Sequence, residues 1–281
     1  MAITLSSGIR DALQSIQQAT SAAQTAQTRL ATGKKVNTAI DNPLNFFTAA
    51  SLNDRANDLS GLQDAMGSAV KTIDAASAGV DGMTKLLQTA QGLASTAAAT
   101  TDSSTRASLM KQYNTILGQV DELMKNSGYN GTNLLNGDKL NVKFDSSTTT
   151  ATLSIQNLAT GALTATALGV ATGAAGAWTN GAGTDTTGDV AIQTQLTNVS
   201  KAISTLRSEA SALGANGAIV KTRQDFTSSM INTLKTGADQ LTLADVNEEG
   251  ANLVSLNTRA QLAQTALSLA SQREQAVLRL F

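Results

Sequence analysis

The side chains with the most obvious chemical capacity in this 281-residue chain are two adjacent carboxylates, Glu248 and Glu249. A carboxylate pair can serve as general acid and general base, one group giving a proton while the other takes one. That chemistry needs a partner to tune the pair or hold a substrate, and the chain contains neither histidine nor cysteine. The plainer reading places both carboxylates in the first turn of a helix, where the macrodipole favours negative charge. Without histidine or cysteine there are no thiolate nucleophiles, disulfides or histidine-based triads, and nearly every zinc or haem site loses its ligands. The expectation is therefore no enzyme, with no catalytic, cofactor-binding or metal residue and no cofactor.

Other candidates weaken in the same way. The glycines of "GAAGAWTNGAGTDTTG" at 173–188 suggest a phosphate cradle, yet neither G-x-G-x-x-G nor G-x-x-x-x-G-K-[ST] can be laid on them, so a surface loop is expected with Trp178 as its one large anchor. Lys34 and Lys35 are two charges on a solvated linker. Twenty Lys and Arg against 21 Asp and Glu provide no basic stripe for phosphates, so nucleic acid is not an expected partner. The Ser and Thr residues between Ser146 and Thr187 could accept O-linked sugars, and composition does not separate that use from a plain polar loop.

The elements that would position any of these groups are written in the apolar spacing. Alternate steps of four and three residues from Leu5 give Ile9, Ala12, Ile16, Ala19, Ala23, Ala26 and Leu30, all apolar, which is the seam of a coiled coil. The same walk near the other end gives Leu253, Leu256, Ala260, Ala263, Leu267, Ala270, Glu274, Val277 and Phe281, broken only by the glutamate. A longer seam runs from Leu52 to Ala97, interrupted only by Arg55, whose stem is expected to lie along the apolar row with its charge in water. As one helix it would be about 70 Å long. A fourth seam runs from Ile192 to Leu241 and is weakest at Gly217, Gln224 and Thr227. A shorter helix is expected over 105–125, with Leu109, Ile116, Val120 and Leu123 on its buried side.

Thr32 and Gly33 should end the first helix, and Asp41, Asn42 and the chain's one proline, Pro43, should start the next. The backbone of the linker between them needs support from neighbours. Asn130-Gly131 and Asn136-Gly137 are turn signals, and 140–144 and 151–156 alternate as strands do. The fold class that follows is mainly α: a long, coiled-coil-like helical bundle with its N- and C-terminal helices paired, plus a small β-hairpin in an outer insertion. Only 3% of residues are aromatic and much of the apolar content is alanine, so thin helix-to-helix contacts are expected. No run of 18 apolar residues suggests a membrane span, and the first 30 residues lack the pattern of a cleaved signal peptide.

Three stretches resemble the bacterial flagellins. "RLATGKKVNTAIDNP" at 29–43 is similar to the family's sequence after its first terminal helix, "YNGTNLLNG" at 129–137 to its motif before a β-hairpin, and "LADVNEEGANLVSLNTRAQLAQTALSLASQ" at 243–272 to its C-terminal signature. The resemblance implies a self-polymerising filament subunit for swimming motility, found outside the cell in the flagellum and exported unfolded without a cleaved signal peptide. It further implies a core domain of 1–42 with 243–281, a shell of 43–139 with 190–242, and a variable outward-facing insertion at 140–189. The seam residues from Leu5 to Leu30 and from Leu253 to Phe281 would then be subunit-interface positions. Expected partners are other copies of the chain, alone or mixed with other flagellins, the export apparatus and its chaperone, and the cap and hook-associated proteins; membrane insertion is not expected. A hook-filament junction protein and, less favoured, a secreted coiled-coil translocator or effector are the alternatives. Two departures from the family stand out: "NPLNFF" at 42–47 replaces an Asp-Ala-Ala-Gly-like run, and Leu87 replaces a charged residue of a patch that an innate immune receptor reads in enterobacterial relatives, so receptor activation is not expected.

Overall fold

A computed structural model describes residues 7–145, 152–157, 161–180 and 186–278. Five helices follow the seams in order: α1 (Ser7–Thr32), α2 (Pro43–Ala99), α3 (Ser103–Asn126), α4 (Thr187–Thr242) and α5 (Val246–Leu278). Two short strands, β1 (Leu140–Lys143) and β2 (Thr152–Ile155), lie between α3 and α4. The chain divides into two compact units, one of Met1–Asn57 with Ile231–Phe281 and one of Asp58–Met230.

The unit of Asp58–Met230 is built on a continuous apolar core. Met66, Ile73, Val80, Met83 and Leu87 of α2 are buried with Val199, Leu206, Leu213 and Val220 of α4, at the positions the heptad walk selects. Helix α3 starts at Asp102, whose carboxylate accepts from the Thr105 amide at 2.8 Å and so satisfies one of the free N–H groups of the first turn. Those bonds, with others from the Ser104 and Thr105 hydroxyls, lower the Asp102 pKa from 3.8 to about 2. The buried face of α3 differs from the sequence expectation. It is centred on Met110, Tyr113, Leu117, Val120 and Met124, whereas Leu109, Ile116 and Leu123 flank it half-buried. That face, with Met110, Tyr113 and Met124 on it, lies about one residue round the helix from the row of Leu109, Ile116 and Leu123.

Gly79 lies where α2 passes closest to the turn after α3. A Cβ there would strike the Ser127 hydroxyl and stand 2.7 Å from Leu135 Cδ1, so no larger residue fits without displacement. Strands β1 and β2 pair antiparallel, Leu140 with Ile155 and Val142 with Leu153, which turns those four apolar side chains to one face, the alternation read from the sequence. The Ser- and Thr-rich stretch at 146–151 lies outside the described residues.

The segment at 161–180, which runs into the glycine-rich stretch, contributes more than a surface loop. Leu163, Ala165, Leu168, Val170 and Trp178 all join the core, and the Trp178 ring packs on Tyr113 at 5.0 Å between centroids. Asn114 holds the Gly173 peptide at both ends, its amide donating to the carbonyl at 2.9 Å and accepting from the N–H at 2.9 Å. Arg106 is 2% exposed and ties four segments together. It donates to the Ala97 and Thr100 carbonyls at the end of α2, to the Trp178 carbonyl, and to Asp189 in the first turn of α4 at 2.6 Å. The guanidinium holds the Asp189 carboxyl below the usual carboxylate range.

The other unit is built differently. Helix α1 lies against α5, and α1 stops where Gly33 adopts φ +67°, a left-handed conformation that glycine enters without steric cost. Asn42 accepts from the Asn45 amide at 3.0 Å, and Pro43 is the first residue of α2, as the sequence indicated.

Candidate assembly interface

The seam residues of α1 and α5 are the candidate functional residues, and those with a described side chain share one covered stripe. Ile9 and Ala26 are buried; Ala12, Ile16, Ala19, Ala23 and Leu30 are half-buried. On α5, Leu253, Leu256, Ala260, Ala263, Leu267 and Ala270 are all half-buried, while most residues between them are exposed. Leu5, Phe281 and the side chain of Val277 lie outside the described residues. A single chain therefore brings its two terminal seams together along one stripe. Alanine at half the positions lets the backbones approach but leaves little side chain to bury.

Near the end of this pair an ion pair fixes the register. Arg29 Nη1 stands 3.0 Å from Glu249 Oε1, and the glutamate side chain is 12% exposed. Its second oxygen, Oε2, is buried without a hydrogen-bond partner. Glu248 and Glu249 occupy the first turn of α5, as the plainer sequence reading has it. Sequence alone did not show that Glu249 would meet Arg29, because a pairing across 220 residues leaves no periodic signature. Asp245 starts the helix, accepting from the Asn247 amide at 2.8 Å.

The linker finds its support in the second linker, after α4. Lys35 N donates to Thr242 O at 2.7 Å, Ala244 N donates to Gly33 O at 3.0 Å, and Lys34 bridges Leu243 antiparallel. Lys35 Nζ reaches the Gln240 carbonyl at 3.3 Å, so this lysine serves the end of a helix and not a basic patch. Arg55 is exposed, in keeping with a stem along the seam and a solvated head.

A second set of apolar side chains faces away from the stripe. Val254, Leu262 and Leu269 of α5 and Leu13 of α1 are exposed, as are Ile40, Leu44 and Phe47 around the start of α2. Among the described residues no group of His, Cys, Asp or Glu is arranged to hold a metal ion, and no helix is long and apolar enough to cross a membrane.

Comparison with known families places these helices. The "Bacterial flagellin N-terminal helical region" matches residues 9–139, and the "Bacterial flagellin C-terminal helical region" matches residues 196–281. The chain belongs to the bacterial flagellins. Flagellin FljO of Caulobacter vibrioides is 29% identical over 280 residues, covering 99% of this chain and 98% of that one. The flagellin of Brucella melitensis is 26% identical over 282 residues, with the same coverage. The crystal structure of Bacillus cereus flagellin aligns with 59% of this chain and 88% of its own at 17% identity, with a TM-score of 0.46.

As a flagellin, the chain is a structural subunit that self-assembles into the flagellar filament. The matched regions take in the α1–α5 pair and most of the long helices; both strands of the hairpin and the Trp178 segment fall between them. Leu87, from the stretch compared with the receptor-read patch, is completely buried, and the outward residues of that stretch are Lys85, Gln88 and Thr89.

Proposed function

We propose that this flagellin polymerises through its terminal helical pair and carries out no catalysis. The observation that supports this reading most is the arrangement of α1 and α5, with one apolar stripe between the two helices and a second apolar set facing out. The first stripe orders the pair. The second, made of Leu13 on α1 and Val254, Leu262 and Leu269 on α5, meets neighbouring copies in the filament together with the seam residues at 5–30 and 253–281. A helical polymer requires unlike surfaces that complement one another without closing into a ring, and long helices with two apolar sides supply them.

In this reading 1–42 with 243–281 forms the filament core, 43–139 with 190–242 surrounds it, and 140–189 faces outward. Export through the flagellar apparatus with a chaperone, and contact with cap and hook-associated proteins at the filament's ends, complete the life of the subunit outside the cell. Seeded polymerisation of the purified chain tests the proposal. Filaments visible by electron microscopy are expected from the intact chain and not from one lacking residues 277–281. Normal polymerisation of that truncation would exclude the terminal pair as the contact.

A further inference from the structure

Ile40, Leu44 and Phe47 are 93%, 76% and 63% exposed, an unusual fate for three large apolar side chains within eight residues. Leu44 and Phe47 stand three residues apart at the start of α2 and share a side of it, and Ile40 lies in the turn that leads into the helix. They leave on the order of 400 Å² of apolar side chain in water, as much as the largest patch on an ordinary monomer.

The segment carrying them is held in place. The Asp41 carboxylate accepts from the Asn37 and Thr38 amides at 2.9 Å each and from the Thr38 hydroxyl at 3.2 Å. Asn42 caps α2, and the Asn45 amide reaches the Leu241 carbonyl at 3.5 Å. Phe46 is half-buried and meets Phe47 edge-on at 5.5 Å between centroids, at 83°. A preorganised, solvent-exposed apolar knob loses little conformational entropy when it docks.

We infer that Ile40, Leu44 and Phe47 form a knob that docks against a second copy of this chain in the filament. This rests on the filament reading above and names a surface that reading leaves open. Three observations select the occupant. A stand-alone protein complex needs about 800 Å² from each partner, roughly twice what the knob offers, whereas a subunit in a polymer adds several small contacts together. The nearest carboxylate, Asp41, is already engaged by its own loop, so the knob offers no free charge to a charged partner. The same unit also displays an unlike apolar row, Val254, Leu262 and Leu269, of the kind a non-closing contact between identical chains requires.

The chain has no cysteine, so Leu44→Cys introduces its sole thiol. Maleimide modification of that thiol is expected to be at least about tenfold slower in filaments than in dispersed subunits, and to recover when the same filaments are depolymerised. A benzophenone attached at the thiol should, on irradiation of filaments, link two flagellin chains. Equal reactivity in both states would overturn the inference. So would protection already present in dispersed subunits, which would show the knob covered by its own chain, or protection that appears only on adding cell extract, which would assign it to a different partner. Replacing Ile40, Leu44 and Phe47 together by serine should raise the critical concentration for assembly about tenfold while leaving the subunit's melting unchanged, because exposed side chains hold little of the fold together. Assembly of that variant at the native concentration would count against the knob. Failure of the native chain to polymerise on seeding would instead defeat the filament reading itself.

Discussion

The two units of this flagellin use the same helical grammar to different ends. In Asp58–Met230 the buried set includes Trp178, Tyr113, Met66, Met83 and Leu87, and the loop after the hairpin folds back to complete it. Among the described residues in the unit of the chain ends the buried apolar side chains are Ile9, Ala26, Val36, Ala49, Ala56, Ile231 and Ala238, four of them alanine and none aromatic. Hydrophobic stabilisation scales with apolar area removed from water, so the first unit can hold itself together while the second gains little until something covers its outer side. A thin interior and an apolar exterior belong together in a part meant for assembly.

The largest test of this contrast is Trp178→Ala. It should destabilise the subunit by about 3–5 kcal/mol, seen as a lowered denaturant midpoint, since it empties a buried site packed against Tyr113. Arg106→Met should cost about 3 kcal/mol by the same measurement, because it strips the donors from the Ala97 and Thr100 carbonyls and from Asp189. Gly79→Ala should cost about 1–3 kcal/mol through its collision with Ser127 and Leu135.

On the other side of the contrast, Leu256→Ala should lower the subunit's stability by no more than about 1 kcal/mol, yet reduce seeded filament growth strongly. A large loss of subunit stability there would make the two units equivalent and remove the distinction. The smallest effect concerns acid. The Asp102 pKa is lowered from 3.8 to about 2, so its contribution is complete above 3.8 and disappears as pH falls through about 2. Asp102→Asn keeps an amide oxygen for capping and should flatten the pH dependence of unfolding in that window, followed by circular dichroism.

Much of the fold could be read from the sequence because heptad spacing survives translation into structure. Every seam position of α1 and α5 with a described side chain falls on the covered stripe, and the weak points of the fourth seam, Gly217, Gln224 and Thr227, still face inward. The turn at Asn130-Gly131 was visible too, since Asn130 takes φ 48° and Gly131 φ 80°. What escaped was chemistry between distant residues. Arg106 and Glu249 look like surface charges in sequence, and only the fold reveals that one closes the end of a helix and the other meets Arg29. Trp178 was recognisable as an anchor, but the place it packs depends on Tyr113 and on the Asn114–Gly173 clasp, neither of which is periodic. The exposed knob was hidden for a related reason: apolar residues in a linker carry no indication of which way they face.

The ladder joining Gly33–Lys35 to Thr242–Ala244 also has a kinetic meaning. Arg29 and Glu249 are separated by 220 residues, and closing so long a flexible loop costs about 5 kcal/mol of chain entropy. Prior formation of α2 and α4 replaces most of that loop with stiff arms, and the ladder holds the strand-like linkers side by side. On that account the terminal pair would form last, at a high local concentration prepared by the parts folded before it. A subunit arriving at a growing end would complete its own fold and its lattice contacts in a single late step.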